Sequence, residues 1–356
     1  MKLGRGDHFN AAAPAAGQKD ERLALPEDAP EETPAAPAVP RSRTAPTGRP
    51  ASLWRLGSRA VQPLFAVAML VAAAWVLHRE FRGVTGAEIG HALGAVPAWA
   101  LVAAACASAL SYASATGSDW WALTTVGKRL AAWRIFLATF VACALANGLG
   151  FSAATGGAAR LRFYRDWGLS PAETGLVILL AGIAALCAGG VAAGLALLLA
   201  PGLSPLYRGL GLLLLTPIAF WFVPWQGLAR GWRAVSLSRP PWPSSLLALA
   251  AGMLDWVFSG LVLFLLLPDP SLPHFLPFIA IFVLGALAGL TAGLPGGLGV
   301  LDAVVLTLGG RFATPQQMAA GLLLYRLVHA AAPLLIAAVA VGVHQALRRP
   351  AATPLP

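Results

Sequence analysis

From residue 61 to residue 344 the chain is a succession of apolar runs, each about as long as a helix that crosses a lipid bilayer. They cover approximately 61–78, 96–114, 133–150, 174–200, 207–223, 245–267, 276–294 and 316–344, with short polar loops between them. A helix rises about 1.5 Å per residue and the hydrocarbon core is about 30 Å thick, so roughly 17 to 25 apolar residues suffice for one crossing. With 58% hydrophobic and 11% charged residues, a water-soluble globule could not hide this much apolar surface. The expected fold is all-α and integral to the membrane, a polytopic helix bundle of about six to eight spans.

The formal charge of +10 does not point to nucleic acid, because the arginines sit mostly between apolar runs. There the positive-inside rule and anionic cytoplasmic lipid account for them. Cys106, Cys143 and Cys187 each lie inside an apolar run without CxxC spacing, where thiols behave as small hydrophobes, so neither a metal site nor a disulfide framework is expected. Residues 1–55 are rich in Ala and Pro, carry mixed charge and cannot build a packed core. They are expected to form a disordered cytoplasmic tail without a secretory signal. A transmembrane domain is expected over 56–346 and a short cytoplasmic tail over 347–356. The implied location is a bacterial-type cytoplasmic (inner) membrane, with the N-terminus cytoplasmic.

A plain up-and-down threading leaves Arg230, Arg233 and Arg239 outside, while the loop around Asp269 and His274 lies inside with no Lys or Arg. The conflict disappears if residues 133–165 and 277–310 each enter the membrane, break at their glycines and return to the side they came from. Lys128, Arg129, Arg134, Arg160, Arg162, Arg165, Arg348 and Arg349 then join Arg230, Arg233 and Arg239 on the inner side, against Arg79, Arg82, Arg208 and Arg311 outside. The alternative is two ordinary spans with a tolerated charge violation.

The two glycine-broken, candidate re-entrant segments also resemble each other. Thr155, Gly156 and Gly157 lead to Ser170, Pro171 and Glu173; Pro295, Gly296 and Gly297 lead to Thr314, Pro315 and Gln317. Each ends in a capping-box helix start with Pro at the first position. In the re-entrant topology the copies enter from opposite faces, a candidate inverted repeat whose substrate site would lie at the midplane breaks. Coincidence is the competing account, since capping boxes are common.

If Gly157 and Gly297 each begin a returning half-helix, two helix N-termini meet near the bilayer centre, where unpaired amides and the positive dipole end favour a phosphate. Arg160 and Arg162 follow the first break, as site residues or as snorkelling anchors. Arg326 lies some twelve residues into its helix, about 18 Å deep, where a charge needs a partner. Asp255 and Asp302 are the carboxylates at comparable depth. Arg326, His329 and Pro333 share one helical face, with a kink expected at Pro333. Asn147 and His329 read as hydrogen-bonded polar core, and Gly285, Gly289, Gly293 and Gly297 as a close-packing stripe. Trp120, Trp121 and Trp225 read as interfacial anchors. Neither a nucleophile elbow nor a phosphate loop is present: Gly150 to Ala154 lacks the closing glycine, and no Lys-Ser or Lys-Thr pair follows Gly156 and Gly157.

Three ordered stretches carry a family resemblance: NGLGFSAATGGAARLRFYRDWGLS from Asn147 to Ser170, LPGGLGVLDAVVL from Leu294 to Leu306, and LLLYRLVHAAAPL from Leu322 to Leu334. Together they make residues 55–346 resemble the transmembrane region of the lysylphosphatidylglycerol synthase/flippase family. The resemblance places a characteristic arginine at Arg160 and a tyrosine-arginine pair at Tyr325 and Arg326. Asp302 stands where the family pattern leads one to expect glutamate, one methylene longer. Two-part members carry a cytosolic aminoacyl-transferase domain after the membrane region, so the resemblance implies a flippase-like module without synthase activity.

The sequence-level expectation is therefore a non-enzymatic protein that translocates or binds an anionic phospholipid or lipid-linked substrate. Thr155, Gly156, Gly157, Arg160, Arg162, Tyr164, Gly296, Gly297, Asp302, Tyr325 and Arg326 are its candidate substrate-binding residues, and Asn147, Asp255 and His329 its structural polar core. No cofactor, metal or nucleic acid is expected. Membrane phospholipid is the expected partner, with a separate lipid-modifying enzyme as a further one. The alternatives are a secondary transporter of a small soluble anion and a non-catalytic membrane subunit.

Overall fold

The computed structural model describes residues 96–149, 152–222, 237–238, 240–291 and 299–347, together with Val71 and Gly94. The tail over 1–55, the apolar run at 61–78, Trp225, Arg230, Arg233, Arg239, Gly296 and Gly297, and the C-terminal tail beyond Leu347 lie outside the described residues. All regular structure among the described residues is helical. The elements are α1 (Ala98–Thr125), α2 (Ala132–Leu149), α3 (Ser152–Asp166), α4 (Pro171–Leu199), α5 (Pro205–Leu213), a 3₁₀ segment (Thr216–Phe222), α6 (Trp242–Leu265), α7 (Leu272–Thr291), α8 (Val300–Leu308) and α9 (Pro315–Arg326). A π-helical turn, Leu327–Ala331, joins α9 to α10 (Ala332–Leu347). Among the described residues, six helical stretches are long and apolar enough to cross a membrane: Ala98–Thr125, Ala132–Leu149, Pro171–Leu199, Trp242–Leu265, Leu272–Leu290 and Pro315–Val343. The chain is a multi-pass helical membrane protein.

Helices α1 and α6 run antiparallel. Trp121 of α1 donates to Ser245 of α6 at 3.1 Å, and Ser111, ten residues earlier, donates to Asp255, ten residues later. The buried face of α1 is built from small residues at helical spacing, Ala104, Ala107, Ser108, Ser111, Ala115, Ser118 and Ala122, which lets the two backbones approach. Trp121 is fully buried in this contact, so the sequence reading of it as an interfacial anchor is wrong. The helix simply continues past the apolar run and takes the indole into the core.

The end of the molecule at the C-terminus of α1, the basic end, gathers Lys128, Arg129, Arg134 and Arg165. Lys128 there pairs with Glu173 in the first turn of α4 at 2.9 Å, and the Ser238 amide donates to the Thr125 carbonyl at 2.7 Å. Helix α2 therefore leaves the basic end, and α3 returns to it before α4 begins. The far reach of α2 is marked by Asn147, whose amide donates to the Tyr112 hydroxyl at 3.1 Å. Tyr112 lies about 20 Å from either end of α1 at 1.5 Å per residue. The α2–α3 pair is a hairpin that comes in from the basic end and turns back level with the middle of α1.

The second hairpin mirrors the first. Helix α6 ends at the opposite, far end, where α7 begins. After α8 the chain is back there, with Phe312 against the rings of His274 and Phe278 at 5.5 and 5.4 Å. Each hairpin is followed by the same helix start. Ser170 accepts from the Glu173 amide while Glu173 accepts from the Ser170 amide, and Thr314 and Gln317 do likewise. A long helix, a hairpin that returns to its own end and a capped long helix thus occur twice, entering from opposite ends, with the two first helices packed antiparallel. This is the inverted repeat that the charge count and capping boxes suggested.

Two elements differ from expectation. Helix α2 ends at Leu149 and α3 begins at Ser152, so Gly156 and Gly157 lie inside α3 instead of starting it. Gly156 is a packing residue, since a methyl group there would sit 2.9 Å from the Ala142 carbonyl oxygen of α2. The run 207–223 is not one α-helix but α5 continued by the 3₁₀ segment. Gly211 packs on Gly194 of α4 and Trp221 on Trp121, 4.9 Å between centroids, so this stretch leads from the far end towards the basic end.

Candidate functional site

Pro333 shapes the middle of the last membrane segment. It has no amide hydrogen, so a helical donor is missing one turn earlier, and the backbone widens into the π turn after Arg326. The Ala332 amide reaches back to the Leu327 carbonyl, which passes over Val328 and His329. Hydroxyls from α1 supply the missing donors: Tyr112 to the His329 carbonyl at 2.9 Å and Ser108 to the Val328 carbonyl at 3.4 Å. The kink expected at Pro333 is thus a π turn whose exposed carbonyls are satisfied by a neighbouring helix.

The same level of α1 and α6 holds a chain of polar side chains. Ser111 donates to Asp255 Oδ1 at 2.6 Å and lies 3.0 Å from Ser259, which lies 3.1 Å from His329 Nε2. His329 Nδ1 lies 3.0 Å from Ser108. His329 is 3% exposed, and Tyr325 stacks on it at 5.2 Å between centroids. Asp255 therefore does not neutralise Arg326, one of the two pairings the sequence allowed. It is held by a serine.

Asp302 takes that role. Its Oδ2 accepts from Arg326 Nη2 and also from the Gly299 amide at 3.0 Å. Gly299 is the residue before α8 and has φ 84°, a left-handed conformation that glycine adopts without strain. One carboxylate thus caps the half-helix and pairs with the arginine, at about 16 Å from the start of α9. The anion at the N-terminus of α8 is the protein's own, and the half-helix starts at Val300 instead of Gly297. The shorter side chain of aspartate reaches Arg326. Arg326 and Asp302 side chains are 27% and 21% exposed, so the pair is open on one side.

Near the basic end a second ion pair holds the other returning helix. Arg160 of α3 donates through Nε and Nη2 to both oxygens of Asp119, at 2.7 and 2.8 Å, and the Tyr164 hydroxyl donates to Asp119 at 2.7 Å. Asp119 and Tyr164 are fully buried. Asp119 was missed in the sequence because it lies beyond the apolar run, but its position seven residues after Tyr112 keeps it on the buried face of α1. Arg160 is a bidentate core cation about 9 Å from the basic end of α1 by the position of its partner. Arg162 is half-buried and close enough to Asp166 to feel its charge. Thr155 lies one turn into α3, partly buried, and Tyr325 meets Phe282 edge-on at 5.6 Å. Each short helix that follows a break is thus tied by an ion pair to a long one.

The family model described as lysylphosphatidylglycerol synthase TM region matches residues 63–337, which contain both hairpins and both ion pairs. The chain belongs to this family. Within the known proteins it is similar to the uncharacterized protein slr0712 of Synechocystis, 27% identical over 249 residues, which cover 67% of this chain and 77% of that one. It is also similar to inner membrane protein YbhN of Escherichia coli, 28% identical over 131 residues, covering 36% of this chain and 41% of that protein. For this family member, Arg160 and the Tyr325–Arg326 pair now have defined surroundings. Arg160 sits in a closed ion pair, and Arg326 in an open one at mid-depth.

Proposed function

We propose that the protein moves an anionic phospholipid or lipid-linked anion between membrane leaflets, with Arg326 as the principal headgroup contact. The observation that carries the reading is the partly exposed Arg326–Asp302 pair at mid-depth, beside the broken α7–α8 hairpin. A buried charge is costly unless partnered, and one left partly open invites a second anion to share or replace the partner. The planar guanidinium matches phosphate oxygens by paired hydrogen bonds, so a headgroup phosphate competes with Asp302 on favourable terms. Opening this pair would free the N-terminus of α8, whose amides then face the same anion. Thr155, Gly156, Gly157, Arg160, Arg162 and Tyr164 belong to α3, the returning arm of the matching hairpin, and Arg160 serves there to fix α3.

The acyl chains would remain in lipid while the headgroup passes the hairpin tips. The reading is non-enzymatic, in an inner membrane like that of the relative named for it, with the basic end and the N-terminus cytoplasmic. Phospholipid is the partner, and a separate lipid-modifying enzyme would supply or consume a modified headgroup.

The test is lipid exchange in proteoliposomes carrying fluorescent phosphatidylglycerol, with leaflet exposure read by a membrane-impermeant quencher. Faster exchange than in protein-free vesicles, lost in Arg326→Gln, is the expected result. Exchange at the protein-free rate, with uptake of a soluble anion instead, would replace this reading by a soluble-anion transporter.

A further inference from the structure

We propose that Asp255 and His329 share one proton through Ser111 and Ser259, and that an anion arriving at Arg326 draws this proton onto His329. The inference rests on the reading of Arg326 as the headgroup contact, and goes beyond it by giving the site a mobile charge.

The spacing of the polar atoms supports the transfer. Ser108 donates to the Val328 carbonyl freed by the π turn, so its oxygen is left to accept from Nδ1–H of His329. The neutral imidazole then keeps its lone pair on Nε2, which faces Ser259 at 3.1 Å. In the neutral state protonated Asp255 donates to Ser111, Ser111 to Ser259, and Ser259 to Nε2. On transfer the Asp255 O–H bond breaks, each serine oxygen receives one proton and gives up its own, and an Nε2–H bond forms. One carboxylic acid and one imidazole become one carboxylate and one imidazolium. The product has Ser111 donating to Asp255 Oδ1, and the 2.6 Å separation of the two oxygens accommodates the bond in either direction.

Surroundings decide when this happens. Asp255 is flanked by Ser111 and Tyr112 from α1, with Asp119 two turns nearer the basic end, and its charge is felt by Cys143 of α2 and Tyr325 of α9. Helix α4 presents Ala185, Ala188 and Gly189 to α6, with Cys187 between them, and α7 presents Ile279 and Phe282. The 3₁₀ segment contains no ionisable side chain. No Lys or Arg pairs with Asp255 among the described residues, whereas Arg326 lies three residues from His329 and is compensated by Asp302. With that pair closed, an imidazolium beside a guanidinium is disfavoured. An incoming anion adds negative charge beside both cations and reverses the balance, because opposite charges at close range in a poorly screened interior interact strongly. The proton thus follows the headgroup and offsets part of its charge at mid-depth.

The measurement is exchange of fluorescent phosphatidylglycerol in proteoliposomes from about pH 5 to about pH 8, with the same pH on both sides. Wild-type exchange is expected to fall as the shared proton is lost at high pH. Asp255→Asn and Ser259→Ala keep the headgroup contacts but cannot pass the proton. Both should fold, retain the slow exchange of the high-pH wild type, and lose the pH dependence. A pH-independent wild type, or an Asp255→Asn protein with the wild-type profile, would overturn the inference while leaving the lipid reading standing. If wild-type protein moves no lipid at any pH, the lipid reading fails first, and infrared spectroscopy of the same protein decides the proton site alone. A protonated-carboxyl band that disappears with rising pH, and is missing in Asp255→Asn, supports it; its absence from the wild type overturns it.

Discussion

The Tyr112 hydroxyl donates to the His329 carbonyl at 2.9 Å, the carbonyl that Pro333 leaves without a main-chain donor. Helix α1 and the last membrane segment are thus joined through a defect in the latter. In a bilayer core no water stands ready to replace such a bond, so the defect and its remedy depend on each other.

Tyr112→Phe should therefore destabilise the folded protein by about 1–3 kcal/mol, the usual cost of stranding a buried polar group. Pro333→Ala restores an amide that can serve the same carbonyl. In that background Tyr112→Phe should cost less, the remaining cost being the Asn147 amide that it leaves without the Tyr112 hydroxyl. Unfolding in detergent for the two single variants and the double variant gives the coupling directly. Equal costs in both backgrounds would show that the two sites do not act on one carbonyl.

How far the sequence could lead is visible in particular residues. The two returning hairpins were legible because Arg and Lys in the loops conflicted with simple threading, and charge bias reports topology directly. Ser170 with Glu173 and Thr314 with Gln317 were legible because a capping box is a local pattern. The polar stripe of α1 was not seen: Ser108, Ser111, Tyr112 and Asp119 are spread over twelve residues of an otherwise apolar helix, and only their common face reveals them. The choice between Asp255 and Asp302 as partner of Arg326 was equally beyond reach. It depends on how α6, α8 and α9 pack, and no local pattern records that.

Glycines in α3 should differ sharply in tolerance. At Gly156 a methyl group would lie 2.9 Å from the Ala142 carbonyl oxygen and 3.4 Å from Arg160 Nη1, so alanine must push α3 away from α2. At Gly157 the nearest atom is Ile178 Cγ2 at 3.8 Å, an ordinary contact. Gly156→Ala is expected to cost about 1–3 kcal/mol through overpacking, and Gly157→Ala to be neutral or slightly stabilising. Melting temperatures of the two variants side by side test this, and similar losses in both would contradict it.

Sidedness follows from the hairpins. With the native thiols replaced, single cysteines at Ser170 and Ser238 should react with an impermeant reagent from one side of the membrane only. Those at Ser204 and Ser271 should react only from the other. The basic end gathers the Lys and Arg residues, so Ser170 and Ser238 are expected to be cytoplasmic. Finding Ser170 and Ser238 on opposite sides would mean that α2 and α3 do not return to the face they started from.

The partner relation of Arg326 and Asp302 gives the decisive comparison between a structural and a functional arginine. If the pair only neutralises buried charge, Arg326→Gln alone strands Asp302 and destabilises the protein, by about 3–5 kcal/mol where such a pair is fully buried and less here, where it is partly exposed. Adding Asp302→Asn removes the stranded charge and should restore stability, and on the structural reading it should restore lipid exchange as well. On the headgroup reading the double variant regains its melting temperature while exchange stays near the protein-free rate, because no planar cation remains to hold the phosphate. Arg326→Lys separates charge from geometry: it keeps the positive charge but loses the fork, so folding should persist with exchange reduced about tenfold or more. Measuring melting temperature and exchange on all four proteins places each effect. Full exchange in the double variant would end the candidacy of Arg326 as the headgroup contact and leave Asp302 as nothing more than its counter-ion and the cap of α8.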